Sequence, residues 1–248
     1  MCYRYSIFSR PELLESRFKA KFEKQFIRRY HVSAFEQTTL PVITNDKPDT
    51  IQLFSWGLVP FWVKNQQQMQ EIAEKTANAR SETIYEKPAF RTSAQKKHCL
   101  VLANGFYEWR NFQGKNYPYY IRLKSKEPFA IAGLWEAWTN KETEKEVKSY
   151  TIITTRANEL MEKVHNKKKR MPVILSKELE RSWIAKDVTK DEALQILEPI
   201  DDSVLEAFTI SRMITARGVD PDVPEILNPY EYPELADLNK SVGQTSLF

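Results

Sequence analysis

Residues 99–138, CLVLANGFYEWRNFQGKNYPYYIRLKSKEPFAIAGLWEAW, contain the strongest strand pattern of the chain. Three runs in it are rich in the aromatic and branched residues that favour β-strands: Cys99 to Trp109, Tyr117 to Leu123 and Phe129 to Trp138. A turn signal at Asn111 to Gly114 separates the first run from the second. Outside the stretch, two runs of the same kind occupy Ile51 to Trp62 and Tyr150 to Thr155. This order of strands and turns predicts an antiparallel sheet or barrel.

Helical patterns lie on both sides of these strand runs. Within Pro11 to Arg29, four apolar residues recur every four positions and predict one amphipathic helix: Leu14, Phe18, Phe22 and Phe26. Shorter helical patterns occupy Gln66 to Thr76, Ala157 to His165, Ser176 to Ala185 and Asp191 to Leu197. Thr189 and Glu192 have capping-box spacing before the last of these. We predict an α+β fold, a single compact domain over residues 1–228 with a β-rich, barrel-like antiparallel core flanked by helices, followed by a polar, loosely held tail over 229–248.

The composition limits the class of protein. The 248 residues are 42% hydrophobic and 12% aromatic, which is enough for a full core. A formal net charge of +4 permits an anionic partner without requiring one. No segment approaches the roughly 18 apolar residues of a membrane span, so we expect a cytoplasmic protein without a membrane partner. The only cysteines, Cys2 and Cys99, should be reduced thiols, and the absence of metal-ligand spacing predicts neither a metal nor a cofactor.

The first residues, MCYRYS, place a cysteine directly behind the initiator methionine. Removal of Met1 would leave Cys2 with a free α-amine beside its thiol. The pKa of an α-amine is roughly 7.7 to 8.0 and that of a free thiol about 8.5, so both groups are usable nucleophiles near neutral pH. With an aldehyde, the amine can form a Schiff base and the thiol can then close a five-membered thiazolidine ring. The alternative is a small residue that happens to follow Met1.

Three other segments carry residues suited to chemistry. In TANARSET, Asn78 and Arg80 alternate along an extended segment, so an amide and a phosphate-binding guanidinium could share one face, although a surface turn is the alternative. In NGFYEWR, aromatic neighbours should raise the pKa of Glu108 towards the range useful for proton transfer, unless it simply faces solvent. His165 precedes a basic run, Lys167 to Arg170, which fits either proton transfer beside a polyanion or an ordinary helix C-terminus.

Together these segments resemble the SRAP family, the SOS-response-associated peptidases understood as abasic-site-processing proteins. The resemblance runs from Cys2 to about Ile226 and rests on the order of seven motifs: MCYR, SWGLVPFW, NARSET, GFYEW, AGLW, ITTRAN and RMPVIL. It implies a compact β-rich fold that binds single-stranded DNA in the DNA damage response. It also implies that the N-terminal cysteine, after self-cleavage of Met1, links covalently to the ring-opened sugar aldehyde of an abasic site.

The resemblance assigns catalytic roles to four residues. Cys2 is similar to the crosslinking residue of the family, and Asn78 to the residue that orients the substrate and the N-terminus. Glu108 matches the carboxylate that handles protons during ring opening, Schiff-base formation and Met1 removal. His165 resembles the acid/base that acts on the opened sugar.

The resemblance also implies a nucleic-acid-binding surface. Arg4 and Arg80 are similar to contacts of the DNA backbone, and Arg170 of the basic run is assigned to the same surface. Trp56 and Trp62 are candidates for base stacking, with a place in the core as the alternative. The expected partners are single-stranded DNA with abasic sites and replication-fork proteins, bound by a monomer that is nucleoid-associated when it acts on DNA.

The sequence departs from the family pattern at three places. Tyr3 stands where the family usually has glycine, which predicts altered access at the N-terminus. The run from His31 to Ala34 replaces Asn-Val-Ala-Pro, which predicts a different loop near the DNA. Between His165 and Arg170, four residues intervene, so the histidine must be presented by a longer loop.

Two other classes of function are compatible with the sequence. The first is an N-terminal-nucleophile cysteine peptidase or amidohydrolase that uses Cys2 with His165 or its own amine as the base. The second is a non-catalytic single-stranded nucleic-acid-binding module that relies on Arg80, the lysine run and aromatic residues, and that would not need Cys2. Turnover of peptides in trans would identify the first, and indifference to Cys2 the second.

Overall fold

The computed structural model describes residues 2–36 and 38–235. Its strands are β1 Arg4–Ile7, β2 Lys21–Phe22, β3 Arg29–Ser33, β4 Thr39–Thr44, β5 Lys47–Trp56, β6 Asn78–Arg80, β7 His98–Ala103, β8 Gly105–Phe112, β9 Lys115–Leu123, β10 Phe129–Thr139, β11 Glu146–Arg156, β12 Arg170–Pro172, β13 Ile174–Leu175 and β14 Leu205–Thr209. Its helices are α1 Pro11–Phe18, α2 Gln66–Ala73, α3 Arg91–Lys96, α4 Glu159–Val164, α5 Lys177–Trp183 and α6 Lys190–Ile196.

Five strands close into a barrel in the order β5, β4, β7, β10 and β11. Neighbouring strands along this path are antiparallel, and β11 then returns to pair with β5 in parallel, with Ser149 opposite Ser55. The predicted α+β fold with a β-rich, barrel-like core and flanking helices is confirmed. The structure differs from a wholly antiparallel core because two strands pair with β11 in parallel: β5 at Ser149 and Tyr150, and β6 at residues 152–154.

A second sheet, antiparallel throughout, has the order β14, β9, β8, β1 and β3. The chain crosses from the barrel into this sheet at Asn104, between β7 and β8. The Asn104 side-chain oxygen accepts hydrogen bonds from the backbone N–H groups of Phe8 and Ser9, at 2.8 and 2.9 Å. Gly105 follows because a Cβ there would lie 2.3 Å from the ring of Tyr120. The predicted strand run from Cys99 to Trp109 is therefore two strands, β7 and β8, which belong to different sheets.

The predicted helix over Pro11 to Arg29 is wrong beyond Phe18. Lys19 adopts the left-handed conformation, with φ of 52°, and its backbone N–H donates to the carbonyl of Glu15, which ends α1. Phe22 then lies in β2, beside β5. The four-residue spacing of the phenylalanines thus arose from a short helix followed by a strand, not from one continuous helix.

The other four predicted helices are confirmed, with ends that shift by at most three residues. The capping box at Thr189 and Glu192 is present at the start of α6. The predicted strand from Ile51 to Trp62 ends instead at Trp56. Gly57 follows with φ of +114°, and a Cβ there would meet the Ala73 carbonyl oxygen of α2 at 2.5 Å.

Residues 229–235 pack against the second sheet. Tyr232 and Leu235 are buried, and the Tyr232 hydroxyl donates to the carbonyl of Ile210 at 2.9 Å. The Tyr117 hydroxyl donates to Glu234 at 2.9 Å. The expectation of a loosely held tail is therefore wrong for residues 229–235, and its remainder, 236–248, lies outside the described residues.

In the described part of the chain, none of the helices has the length and apolar character needed to cross a bilayer.

Candidate active site

Cys2 lies immediately before β1, which runs between β3 and β8 in the second sheet. Its side chain is completely buried, and its Sγ is 3.5 Å from the carbonyl oxygen of Arg4. Burial disfavours the thiolate and raises the pKa of Cys2 far above its ordinary value, and the nearby Glu108 carboxylate adds to the increase. The thiol is therefore neutral at physiological pH, and its reaction needs a proton acceptor.

Glu108 lies on β8, the strand next to β1, and its side chain is only 4% exposed. Burial raises the pKa of Glu108 to about 8, although Lys168 and Arg4 act in the opposite direction. A carboxyl group of this kind is largely protonated at neutral pH and can donate a proton there. The sequence-based expectation of a raised pKa is confirmed in direction, and its cause is burial.

His165 ends α4 and places its ring against Glu108, with 3.5 Å between His165 Nδ1 and Glu108 Oε1. The same nitrogen is 2.8 Å from the Arg170 carbonyl oxygen, a distance at which it donates its proton. This arrangement assigns the proton to Nδ1 and leaves Nε2 with a free lone pair. Burial lowers the pKa of His165 to about 4, so the ring is neutral and Nε2 can accept a proton.

The longer segment between His165 and Arg170 does not move the histidine away from the site. The backbone N–H of Lys169 returns to the carbonyl of His165 at 2.8 Å. The Asn166 side chain exchanges two hydrogen bonds with the backbone of Asn111, at 3.0 and 2.8 Å. The additional residues therefore form a turn that is anchored to β8.

Asn78 begins β6, opposite Ile152 of β11. Both polar atoms of its amide are buried, and neither has a hydrogen-bond partner among residues 2–36 and 38–235. Leaving a buried polar group unsatisfied costs roughly 1–3 kcal/mol, so such an amide is a candidate contact for a substrate. The structure brings Cys2, Glu108 and His165 together, whereas no hydrogen bond joins Asn78 to them in the described part of the chain.

Three of the predicted DNA-binding residues remain accessible. Arg4 is half-buried, and its guanidinium lies 5.1 Å from the ring centre of Trp109. Arg80 is exposed at the end of β6. Trp62 is 40% exposed, and its indole N–H points to the carbonyl of Pro88 at 3.4 Å.

The structure places Trp56 in the core, which corrects its prediction as a base-stacking residue. It is 5% exposed, and its indole N–H donates to the Ala77 carbonyl at 2.8 Å. Its ring packs between Tyr5 and Tyr150, with centroid distances of 5.0 and 6.3 Å. The indole is therefore part of the core.

Arg170 is already engaged within the chain. Its guanidinium donates to Glu82 at 3.0 Å and to the Thr154 carbonyl at 2.6 Å. These bonds hold β12 in place. The backbone carbonyl of Arg170, in the same strand, accepts the hydrogen bond from His165 Nδ1. Binding of a phosphate by Arg170, as the sequence predicts, would require displacement of Glu82.

Sequence reasoning missed an aromatic pair beside Cys2. The rings of Tyr3 and Phe35 stack with centroids 5.4 Å apart, and Phe35 is 64% exposed. The sequence predicts altered access at the N-terminus because of Tyr3, and the Tyr3 ring lies against Phe35 in the turn after β3. The available signal was two bulky aromatic residues: Tyr3 at one departure from the family pattern, and Phe35 directly after another, the run from His31 to Ala34. In the described residues, no group of three or more His, Cys, Asp or Glu side chains is arranged to hold a metal ion.

Comparison with known proteins extends these observations. A sequence model of the family described as SOS response associated peptidase (SRAP) matches residues 1–216. The abasic site processing protein YoqW of Bacillus subtilis is 37% identical over 223 residues, which cover 87% of this chain and 95% of YoqW. The abasic site processing protein HMCES of Xenopus tropicalis is 34% identical over 166 residues, which cover 59% of this chain and 48% of HMCES.

The fold is also found in solved structures. A crystal structure of a protein from Bacteroides thetaiotaomicron superimposes with a TM-score of 0.87 at 34% identity and covers 93% of this chain and 100% of that chain. A protein from Bordetella bronchiseptica gives a TM-score of 0.75 at 25% identity and covers 85% of this chain. The family match over residues 1–216, together with the identity to YoqW, shows that the chain belongs to the SOS response associated peptidase (SRAP) family.

Proposed function

We propose that this protein processes abasic sites in single-stranded DNA by forming a covalent thiazolidine between Cys2 and the ring-opened sugar aldehyde. The names of the relatives support a role at abasic sites. The observation that carries the chemistry is the juxtaposition of the buried Cys2 with a protonated Glu108 and a neutral His165. The linkage shields the lesion while it awaits repair.

The reaction begins with Met1 removal, a single self-cleavage that frees the α-amine of Cys2. The neutral Nε2 of His165 takes the proton of the sugar C1′ hydroxyl and delivers it to the ring oxygen as the ring opens. The amine then attacks the aldehyde carbon to form a carbinolamine. Glu108 protonates the departing hydroxyl and takes back a proton from the nitrogen, so that one water leaves and a neutral Schiff base forms. The thiol adds to the same carbon and its proton passes to the nitrogen, which closes the thiazolidine.

Recognition of the strand relies on groups around this centre. An abasic nucleotide has no base to read, so binding must come from phosphate contacts and from stacking of neighbouring bases. Arg4 and Arg80 supply positive charge, and Trp62 supplies an accessible ring. The unsatisfied amide of Asn78 would orient the opened sugar or the new N-terminus. In this proposal the protein acts as a monomer on DNA, and replication-fork proteins are its expected partners.

The experiment that tests the function uses a single-stranded oligonucleotide with one abasic site. The purified protein should form an adduct that survives heat and denaturant, and Cys2→Ala should form none. A matched oligonucleotide with a tetrahydrofuran at the same position serves as the control, because it lacks the aldehyde. An equally stable adduct with the tetrahydrofuran strand or with the Cys2→Ala variant would refute the proposed chemistry.

A further inference from the structure

A cavity of about 320 Å³ opens between α2, the loop after β3 and the end of β5. Phe35 and Trp56 contribute aromatic walls, and Met69 of α2 contributes an apolar one. Pockets for small ligands begin at roughly 300 Å³, so this cavity has room for one planar group. Neither the fold nor the proposed crosslinking reaction requires it.

The polar lining of the cavity suits the edge of a nucleobase. Gln66 and Gln70 of α2 present side-chain amides, and Glu36 presents a carboxylate. Within the described residues the Gln70 amide forms no hydrogen bond, and the only bond of the Gln66 amide is a long one, 3.5 Å, from Asn140 to its oxygen. Amide and carboxylate side chains recognise the exocyclic amino groups of bases, which donate hydrogen bonds to their oxygens.

The cavity adjoins β1, the strand that follows Cys2, and the residue before that strand. Phe35 stacks on Tyr3, and the backbone N–H of Ala34 donates to the Tyr3 carbonyl at 2.9 Å. On the opposite wall, Trp56 packs edge-on against Tyr5. Phe35 therefore contacts Tyr3, the residue before β1, and Trp56 contacts Tyr5 of β1. Both contacted residues lie within three positions of Cys2. Tyr3, the residue next to Cys2, therefore connects the wall of the cavity to the proposed nucleophile.

We propose that this cavity receives the base of a nucleotide next to the abasic site, stacked on Phe35 and hydrogen-bonded by Gln70 and Glu36, with a preference for bases that carry an amino group because the Glu36 carboxylate can only accept hydrogen bonds. The inference rests on the proposed function and adds a substrate preference to it. Unpaired bases of single strands bind proteins in this way, by stacking on aromatic side chains and by hydrogen bonds to their exposed edges. Thymine lacks the amino group and fits less well.

The test measures the affinity of the full chain for single strands that carry a central tetrahydrofuran and cannot crosslink. The nucleotide on each side is adenine, cytosine, thymine or a second tetrahydrofuran. The parent protein should bind the adenine- and cytosine-flanked strands about tenfold more tightly than the strand with no flanking base, the order of effect of one stacked base. The affinity for the thymine-flanked strand should lie between these two values.

Two variants locate the preference. Phe35→Leu keeps an apolar side chain without the ring and should lose most of the tenfold difference. Glu36→Gln exchanges a group that only accepts hydrogen bonds for one that also donates, and should lose the advantage of adenine and cytosine over thymine. Tyr230→Ala is the matched control, because Tyr230 is an exposed aromatic residue, 49% accessible, beside β14 at the far edge of the second sheet. It should retain the difference.

Equal affinity of the parent for all flanking nucleotides would overturn the inference, and so would a preference that survives both variants. An adduct assay with a true abasic strand separates this failure from failure of the proposed function. If the protein forms the adduct but its affinity does not depend on the flanking nucleotide, only the base pocket is refuted. Absence of any adduct and of any binding refutes the proposed function and the pocket with it.

Discussion

Glu108 and His165 are two buried ionisable side chains whose pKa values move in opposite directions for the same physical reason. Burial disfavours the charged form of each, which is the carboxylate of Glu108 and the imidazolium of His165. Near pH 7 the carboxyl therefore holds a proton that it can donate, and the imidazole holds a lone pair that can accept one. Glu108 can therefore donate a proton and His165 can accept one while both side chains are uncharged.

Replacement of Glu108 by glutamine separates proton transfer from positioning. Glutamine keeps the shape and hydrogen-bonding capacity of the side chain but cannot titrate. Glu108→Gln should bind abasic DNA about as well as the parent and form adduct roughly 10²- to 10⁴-fold more slowly. The measurement is a single-turnover time course at saturating DNA, beside an affinity measurement on tetrahydrofuran strands. Weaker binding with an unchanged rate would mean that Glu108 only positions the substrate.

The same two residues should make stability depend on pH. Between the ordinary pKa of 4.5 and the folded value of about 8, the folded chain retains a proton on Glu108 that the unfolded chain has lost, so the contribution of Glu108 to the free energy of unfolding falls as pH rises. His165 has an ordinary pKa of 6.5 and a folded value of about 4, so its contribution is lost as pH falls through that interval.

Glu108→Gln should therefore gain stability relative to the parent as pH increases from about 5 to about 9. Each pKa unit corresponds to about 1.4 kcal/mol, so we expect a relative gain of at least about 1 kcal/mol. Urea unfolding of both proteins at the two pH values checks it. A difference between variant and parent that stays constant with pH would show that Glu108 is already ionised in the folded protein, as it is in the unfolded chain, and would contradict the raised pKa.

At the scale of elements, the short strand β12 links the basic run to His165, the proposed acid/base. The Arg170 side chain holds β12 to Glu82 and Thr154, while the Arg170 carbonyl accepts the proton of His165 Nδ1. Arg80 lies at the end of β6 and is exposed. The two arginines therefore differ in how closely they are tied to the structure around the site.

We expect the two alanine variants to differ accordingly. Arg170→Ala should slow adduct formation at saturating DNA, because the acceptor that orients His165 is less well held. Arg80→Ala should leave that rate unchanged but weaken binding and lower the slope of log affinity against log salt by about one, as for a lost phosphate contact. Salt titrations of affinity and single-turnover rates check both. An Arg170→Ala variant with a lower salt slope and a normal rate would contradict the positioning role.

At the scale of elements, local sequence patterns do not predict structure that depends on distant residues. The strand runs and the capping box at Thr189 depend on nearby residues and were predicted. Phe22 satisfied a helical spacing, yet the left-handed turn at Lys19 and pairing with β5 placed it in a strand. Trp56 could not be assigned because its burial depends on Tyr5 and Tyr150, which are distant from it in the sequence.

At the scale of the whole molecule, the barrel and the second sheet assemble a site from distant parts of the chain. Cys2 precedes β1, Glu108 lies on the adjacent strand β8 of the second sheet, and His165 comes from the end of the helix after β11. The identities of these residues, and of Asn78, were predicted from the sequence and the family resemblance. Their burial, the assignment of the His165 proton and the stack of Tyr3 on Phe35 depend on tertiary packing and required the structure.

The central claim is that the nucleophile is the N-terminal Cys2 with both its amine and its thiol. Intact-mass analysis of the purified adduct tests it most directly, because every atom gained or lost is counted. The account predicts the mass of the chain without Met1, plus the mass of the abasic strand, minus one water. A stable adduct that retains Met1 would contradict the account, since an acylated Cys2 has no free amine with which to close the thiazolidine.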